Sequence, residues 1–301
     1  MTRHRPGIGR DRRQASKDVI QLVPNQIKGL FYRIRPNAAD SKPPVSRRTR
    51  RGGDAGRQGS MHVVTYGPEH HVRMPALRAC WLTQTFLHWA YAPELIQRLL
   101  PDRLMVDTFD GRAWVGLTPF VMADVRPYGS PVALASFPET NLRTYVRGPD
   151  GREGLWFLSI EVACPVMLAA RAIGAPYHLG RLRLARSGES LTYTGSRSGG
   201  ESAYRMTVRP GPPIRPTQRD VWLASRWRAF THSASALWET PVEHEPWPLR
   251  AARLYDLAES VTRAAGLPAP AEEPLVHFSD GVHKVRLGLS RPMRPKPRRQ
   301  G

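Results

Sequence analysis

Cysteine is nearly missing from this chain: Cys80 and Cys164 are the only two in 301 residues. Two thiols cannot build a disulfide framework or a multi-cysteine metal cage, and both read as small, buried apolar residues. Long apolar runs are missing too. Nowhere do about 20 apolar residues follow one another, and the N-terminus has no apolar signal core, so no membrane span is expected. The cytoplasm is then the default compartment. Phosphate-cradling glycine loops are lacking, since Gly199-Gly200 lies between strands rather than before a helix. Neither Ser159 nor Ser279 has a G-x-S-x-G context. No His, Cys, Asp and Glu grouping has metal-ligand spacing; the nearest approach, His88, His178 and His277, matches no ligand signature. No metal and no cofactor are expected.

Lysine is the most informative scarcity. Five lysines stand against 40 arginines, and Lys284 is the only lysine between Met74 and residue 290. Acid is also short, giving a formal net charge of +20. That excess sits at the ends. Residues 1–60 hold 15 basic against 4 acidic side chains and residues 291–301 hold 5 against none, leaving 25 against 21 between them. A globular polyanion-binding face is therefore not implied; nucleic acid would be met only non-specifically, through the basic ends.

Three regions follow. Residues 1–73 read as a basic, disordered leader, too poor in apolar side chains to offset backbone ordering entropy. An alternative is a mis-assigned start, with translation beginning at Met61 or Met74. Residues 74–290 read as one domain, and residues 291–301 as a basic, disordered tail. The 41% apolar fraction and eight tryptophans suffice for a substantial core.

The domain reads as mainly β with short helices. Leu77–Tyr91 is a long apolar and aromatic strand, and Pro93 opens a helix over Glu94–Leu100. Asp110-Gly111 predicts a tight type I′ hairpin between Leu104–Phe109 and Ala113–Val121. A second hairpin joins Asn141–Val146 to Leu155–Val162. Pro165–Ile173 reads as helix with Gly174 just past its end. Leu179–Ala185, Leu191–Ser196 and Ala203–Val208 read as strands. Asp220 is expected to cap a helix through Phe230, with Trp222, Trp227 and Trp238 packing in the core. A final strand pair, Leu275–Phe278 and Val282–Leu289, is expected to break at Ser279-Asp280-Gly281. His232 and His244 read as surface residues. Many strands with few helices suggest a barrel or sandwich.

The stretch most able to carry chemistry is Phe137–Val146. As a strand it places Glu139, Asn141, Arg143 and Tyr145 on one face. On a solvated face this pattern is ordinary; facing inward it is costly unless the groups pair with each other or with a ligand. The partner strand offers Leu155, Phe157, Ser159 and Glu161 as an amphipathic, cavity-lining face, with Trp156, Leu158, Ile160 and Val162 opposite. A few polar groups among apolar ones is a usual form of small-molecule site.

Several motifs in order now resemble a known family: His88-Trp89, Leu99–Pro101, Val106–Phe120, Glu139–Val146, Ala170-Arg171 with Pro176-Tyr177, Leu223–Trp227, Glu245–Leu249 and Val276–Val282. Together they resemble the YqjF-like family, a domain of unknown function similar in fold to acetoacetate decarboxylase. The resemblance covers about residues 74–290. It implies a large, closed, mostly antiparallel β-barrel around an internal cavity, with short helices outside. The decarboxylase uses a lysine as a Schiff base, plus a glutamate and an arginine. Its Gly-x-Pro-Lys-Lys motif aligns with Gly174–His178, so Tyr177 and His178 stand where the two lysines would be. Glu139 matches the glutamate best. Arg143 is assigned by facing direction rather than by motif.

Tyrosine and histidine form no imine with a ketone, and Lys284 reads as a surface residue. The resemblance therefore implies no Schiff-base decarboxylation here. The leading expectation is a β-barrel that binds a small, keto-acid-like metabolite. Candidate ligand contacts are Arg143, Asn141, Tyr145, Ser159 and Glu161. A competing expectation is a lysine-independent enzyme, with Glu139, Tyr177 and His178 as candidate catalytic residues. A third is nucleic-acid association through the ends. The partner is a small ligand or substrate, with no membrane; assembly into a homo-oligomer is compatible with all three.

Overall fold

The computed structural model describes residues 66–293. The expectation for the leader, residues 1–73, lies outside the described residues as far as residue 65, and so does that for the tail beyond Met293.

Thirteen strands form one sheet that closes on itself: β1 (Pro75–Tyr91), β2 (Met105–Val106), β3 (Ala113–Pro127), β4 (Phe137–Arg147), β5 (Glu153–Val162), β6 (Tyr177–Ser187), β7 (Ser190–Arg197), β8 (Ala203–Pro213), β9 (Arg228–Ser233), β10 (Ala236–Glu243), β11 (Leu249–Glu259), β12 (Leu275–Gly288) and β13 (Arg291–Pro292). Nine of them, in the order β5-β6-β7-β8-β11-β12-β1-β3-β4 and back to β5, make a closed barrel. Pairing is antiparallel except where β5 meets β6 and β9, both parallel. Closure leaves these nine strands no long open edge, which is how a large all-β domain avoids edge-to-edge association.

The sheet forks at two strands, and the forks create the site. One edge of β5 pairs with β4; its other edge takes β9 at Leu155–Trp156 and β6 at Ile160–Val162. Likewise β12 pairs with β11 near Ser279 and with β10 near Arg286. The β9–β10 hairpin thus spans from β5 to β12 across the outer face of β4, β3 and β1. The two faces of this shared wall are consequently both covered, and no side chain of β4 is exposed.

Each face has its own core. Leu87, Leu117, Leu142, Leu191, Tyr193, Tyr204, Met206 and Phe278 pack inside the nine-strand barrel. Phe86, Phe120, Phe137, Ile160, Val162, Tyr177 and Trp247 pack on the opposite face. Fully burying one such side chain contributes about 1.5–3 kcal/mol. Three short helices lie outside: α1 (Pro93–Gln97), α2 (Gln218–Ala224) and α3 (Val261–Ala264), along with a 3-10 segment over Pro165–Ile173 that ends at Gly174. No helix among the described residues is long and apolar enough to cross a membrane.

Several sequence expectations are corrected. The Asp110-Gly111 turn forms, with both residues at positive φ (49° and 70°) and Phe109 bridged to Arg112. Its first arm does not follow β3: only Met105–Val106 is strand, and it pairs with β4. The helix after Pro93 ends at Gln97, whose side chain instead ties down the next loop by bonding Leu104 O and Val106 N. Thr217, not Asp220, is the N-cap of α2; Asp220 closes a capping box from the third helical position. That helix stops at Ala224, and Arg228–Ser233 is strand. The expected break at Ser279-Asp280-Gly281 does not occur: β12 is continuous there, with Gly281 facing Leu82 and Ser279 facing Gln84, and its register slips against β1 only further on, between Val282 and Val285. Gly281 has φ 138°, and a Cβ there would lie 2.4 Å from Trp81 O, so glycine is what lets β12 run this close to β1. His244 is buried rather than exposed, and both cysteines are only half-buried.

Candidate functional site

Strand register assembles the site from distant sequence. Reading across the wall, Phe120 faces Glu139, Thr118 faces Asn141 and Gly116 faces Arg143. One strand further, His88 faces Gly116. On the other side Val162 faces Glu139, Ile160 faces Asn141 and Phe157 faces Arg143. Tyr177 enters beside Ile160. These side chains all lie on the outer face of the wall, under α2 and the segment carrying His244 and Trp247.

The solvated-face alternative is excluded: Glu139 is 4% exposed, Asn141 and Arg143 7%, and Tyr145 0%. Glu139 is hydrogen-bonded by Tyr177 and Asn141, yet burial dominates and pushes its carboxyl up to about 8. Near neutral pH it is therefore mostly an un-ionised acid that can donate a proton. Burial and the Glu139 carboxyl together push the Tyr177 phenol well above its ordinary range. Arg143 lies over the Phe86 ring, 5.7 Å from its centre, and hydrogen-bonds Tyr145. Tyr145 Oη donates to Leu223 O at 2.7 Å and stands 2.8 Å from His88 Nε2. His88, 1% exposed, is held well below the ordinary histidine range by burial, then by Arg143 and His277.

Four polar atoms of this face are buried without a hydrogen-bond partner: His88 Nδ1, Glu139 Oε2, Asn141 Oδ1 and Arg143 Nε. Such groups are rare in folded proteins because each forfeits its hydration. Their concentration on β1 and β4, either side of β3, marks the face as built to meet something polar.

The sequence placed Ser159 and Glu161 on the same face as this set. They face the barrel interior instead. Leu142 pairs with Ser159 but Arg143 pairs with Phe157, so Leu158 is an extra residue in β5 and reverses the alternation beyond it. Inside the barrel, Glu161 Oε1 accepts from Arg197 Nη2 at 2.6 Å and from Ser159 Oγ at 2.9 Å. His178 pairs with Glu161 across β6 and so also faces inward, away from Tyr177. Burial, then Arg197, lowers its pKa. The eight sequence candidates are thus split between two compartments: Glu139, Asn141, Arg143, Tyr145 and Tyr177 outside the wall, Ser159, Glu161 and His178 inside.

Sequence reasoning missed much of the outer site. His88 stands in the sequence within an apolar strand, in the His88-Trp89 motif and in a histidine grouping without ligand spacing, and none of these ties it to Tyr145. His277 Nε2 lies 3.3 Å from Asp220 Oδ1, a partner 57 positions away. His244 is wedged among Trp81, Trp227 and Trp247, and burial takes it down to about 4. Arg226 covers Tyr145 and Trp222, with its charge met by Asp107 at 3.2 Å. Lys284 is exposed, as read from the sequence, and is the only lysine among the described residues.

A separate surface cleft of about 430 Å³ opens where β9 and β6 part along β5. Phe157, Leu158, Gly174, Pro176 and Phe230 are among its lining residues. Phe157 is the residue shared between this cleft and the Arg143 row.

The fold has counterparts among solved structures. An acetoacetate decarboxylase-like enzyme from Sphingomonas wittichii RW1 superposes with a TM-score of 0.51 at 18% identity, over 79% of this chain and 100% of that one. The acetoacetate decarboxylase of Legionella pneumophila gives 0.50 at 15% identity, over 76% and 92%. The enduracididine biosynthesis enzyme MppR gives 0.52 at 16% identity, over 75% and 90%. At these identities the likeness establishes the acetoacetate decarboxylase-like fold and nothing about chemistry. In sequence, the chain is 29% identical over 211 residues to the uncharacterized protein YqjF of Bacillus subtilis (strain 168), covering 67% of this chain and 87% of that protein. Residues 78–283 match DUF2071, a family described as an uncharacterized conserved protein, so the chain belongs to the DUF2071 family.

Proposed function

We propose that the outer face of the β1-β3-β4-β5 wall binds a small organic acid, keto-acid-like in size and charge, without forming a Schiff base. One observation carries this reading: Arg143 is a buried guanidinium with no carboxylate partner among the described residues. The other two buried arginines are paired, Arg226 with Asp107 and Arg228 with Glu69 and Glu239. Glu139 does not supply the missing charge, because its carboxyl is mostly protonated at neutral pH. An unpaired buried cation is costly enough that a site retaining one is suited to an incoming anion. A carboxylate matches the planar fork of arginine. The apolar body of the ligand would lie among Phe86, Phe120, Ile160 and Trp247. The solitary, exposed Lys284 supports a site that works without an imine.

The test is calorimetric titration with pyruvate, 2-oxobutanoate and acetoacetate, using their methyl esters as neutral controls. Acids are expected to bind and esters to bind far more weakly. Arg143→Met, which removes charge while keeping volume, should abolish the difference. Equal binding of acid and ester by the wild type would overturn the reading.

A second reading has its own support in the Glu139–Tyr177 contact. A carboxyl held near 8 beside a phenol can both give and take a proton near neutral pH, as a general acid–base pair requires. Deuterium incorporation from D2O into a bound acid, lost in Glu139→Gln, would support catalysis. Binding without exchange would leave a carrier or sensor.

A further inference from the structure

The positive charge left over within the domain is not spread evenly. Residues 61–290 hold 25 basic against 21 acidic side chains, and residues 177–213, which make β6, β7 and β8, hold six arginines against two glutamates. These three strands therefore account for the whole excess. In the sequence so small an excess implies no polyanion-binding face; the strand register gathers it onto one.

Alternation decides where the side chains go. Leu191, Tyr193, Tyr204, Met206 and Val208 turn inward and pack the barrel core, so the residues between them turn outward. The outward set has Arg181 and Arg183 on β6, Arg205 and Arg209 on β8, and Arg253 on the adjoining β11, all exposed. Arg197 is the exception, bonded inward to Glu161. Arg183 faces Thr194, Thr194 faces Arg205, and Arg209 faces Arg253. At strand spacings of ~4.8 Å and rises of ~3.4 Å per residue, neighbouring arginines start roughly 5–14 Å apart. Hydroxyls lie between them, with Thr192 Oγ1 3.1 Å from Thr207 Oγ1.

The acids nearby do not neutralise this face. Glu189 meets Arg209 and Asp256 meets Arg205 in pairs exposed on both sides, which hold weakly and give way to a competing anion. Arg181, Arg183 and Arg253 meet no carboxylate among the described residues. Tyr255 supplies a different kind of contact. β11 slips against β8 between Leu254 and Asp256, so Tyr255 is an extra residue pushed outward at a bulge. Arg209 hydrogen-bonds it and Arg253 lies 5.1 Å from its ring centre, yet it stays 51% exposed. Beside it lies a shallow depression of about 320 Å³, lined also by Arg209, Pro210, Gly211 and Arg253.

We infer that this face binds single-stranded nucleic acid, with phosphates on Arg183, Arg205 and Arg209 and a base on the Tyr255 ring. Spaced guanidinium groups with hydroxyls among them suit a phosphate chain, and an exposed aromatic ring offers a stack that an unpaired base can take up. Duplex DNA fits poorly, because its major groove admits a helix or a two-stranded ribbon rather than a four-stranded sheet. A lipid surface fits poorly too: among the described residues, Tyr255 is the only large apolar side chain exposed on this face. None of these residues belongs to the Arg143 wall, so the inference stands or falls independently of acid binding.

The test is fluorescence anisotropy of the full-length protein with labelled oligo(dT) and oligo(U) of about 15 nucleotides, across a salt series. The basic ends also attract polyanions, so two triple variants of equal charge are compared. Arg183→Ser with Arg205→Ser and Arg209→Ser should weaken binding about tenfold or more and reduce the salt slope by about 2. Arg73→Ser with Arg78→Ser and Arg98→Ser, all exposed and off this face, should leave the slope unchanged and the affinity within about threefold. Tyr255→Ala should weaken binding about tenfold, and Tyr255→Phe should restore it. Ultraviolet crosslinking should place an adduct on Tyr255 by mass spectrometry. Equal losses from the two triple variants, crosslinks confined to residues 1–60 and 294–301, or a duplex bound as tightly as the single strand would overturn the inference. So would tighter binding of phosphatidylserine vesicles through the same three arginines, which would make the face a lipid contact.

Discussion

Gly116 and the His88 ring touch so closely that a side chain between them has no room. A Cβ on Gly116 would lie 2.9 Å from His88 Cδ2 and 3.0 Å from Nε2. The ring cannot swing away, since it is buried, stacked on Phe86 and bonded to Tyr145. Gly116→Ala is therefore expected to cost about 1–3 kcal/mol by overpacking. Urea unfolding gives the number, and the same variant should weaken organic-acid binding by displacing His88 from Tyr145. A variant as stable as the wild type, with unchanged binding, would show that the ring is not held where the register puts it.

Glu139 gives a signed prediction for pH. Its carboxyl sits near 8 in the folded protein against an ordinary 4.5. Between these values the folded state keeps a proton that the unfolded state releases. Stability from this group therefore falls as pH rises, by up to about 1.4 kcal/mol per pH unit, and levels off above the folded value. Glu139→Gln has no such slope, so the wild type should lose ground to it steadily from about pH 5 to about pH 8. His244, lowered to about 4, acts in the opposite sense. Its contribution is present above the ordinary 6.5 and is lost as pH falls toward 4, equally in both proteins, and so cancels in their difference. Urea unfolding of the pair across this range is the measurement; a constant difference would mean that Glu139 is ionised throughout.

What the sequence revealed and what it hid follow from how local each cause is. Alternation along one strand put Glu139, Asn141, Arg143 and Tyr145 on one face, and that held because β3 and β4 run in register without a slip. It failed one strand later, where Leu158 is inserted and Ser159 and Glu161 turn to the other compartment. No residue type announces such a bulge. The tryptophans Trp222 and Trp227 suggested a continued helix, yet only Trp222 is in α2, and both are buried in the core. Strands β10 and β11 escaped notice because their burial is partial and their alternation broken, and β9, whose first four residues are all buried, begins within the expected helix. The contacts of His88 with Tyr145, and of Asp107 with Arg226, join residues 57 and 119 positions apart. Only the sheet order brings them together.

Inside the barrel, Glu161 and Arg197 form a nearly buried pair, with side chains 2% and 10% exposed. Glu161→Gln leaves Arg197 with only the solvent-exposed Glu201, at 3.3 Å, to meet its charge. Breaking a buried pair on one side costs about 3–5 kcal/mol, and the slight exposure of Arg197 places the expectation at the lower end. Replacing both, with Glu161→Leu and Arg197→Met, should recover most of the loss. The pair between Arg209 and Glu189 lies in solvent on both sides, and Glu189→Gln should change stability by less than about 1 kcal/mol. Comparable losses from Glu161→Gln and Glu189→Gln would place the barrel pair in contact with water.

Lys284 decides whether imine chemistry is available. A Schiff-base lysine needs its ammonium pKa depressed by desolvation or by a neighbouring cation, so that the free amine is present near neutral pH. The Lys284 side chain is exposed to solvent on β12 rather than desolvated. Tyr177 and His178, which the sequence resemblance sets against the two lysines of the decarboxylase motif, carry no amine. Borohydride added to the protein with acetoacetate should therefore leave no covalent adduct in the 66–293 region by mass spectrometry. Lys284→Ala should leave the calorimetric affinity for acids within about twofold of the wild type, because no part of the Arg143 site depends on it. An adduct at Lys284 that disappears in Lys284→Ala would restore the imine route and remove the reason for seeking the ligand at Arg143 without one.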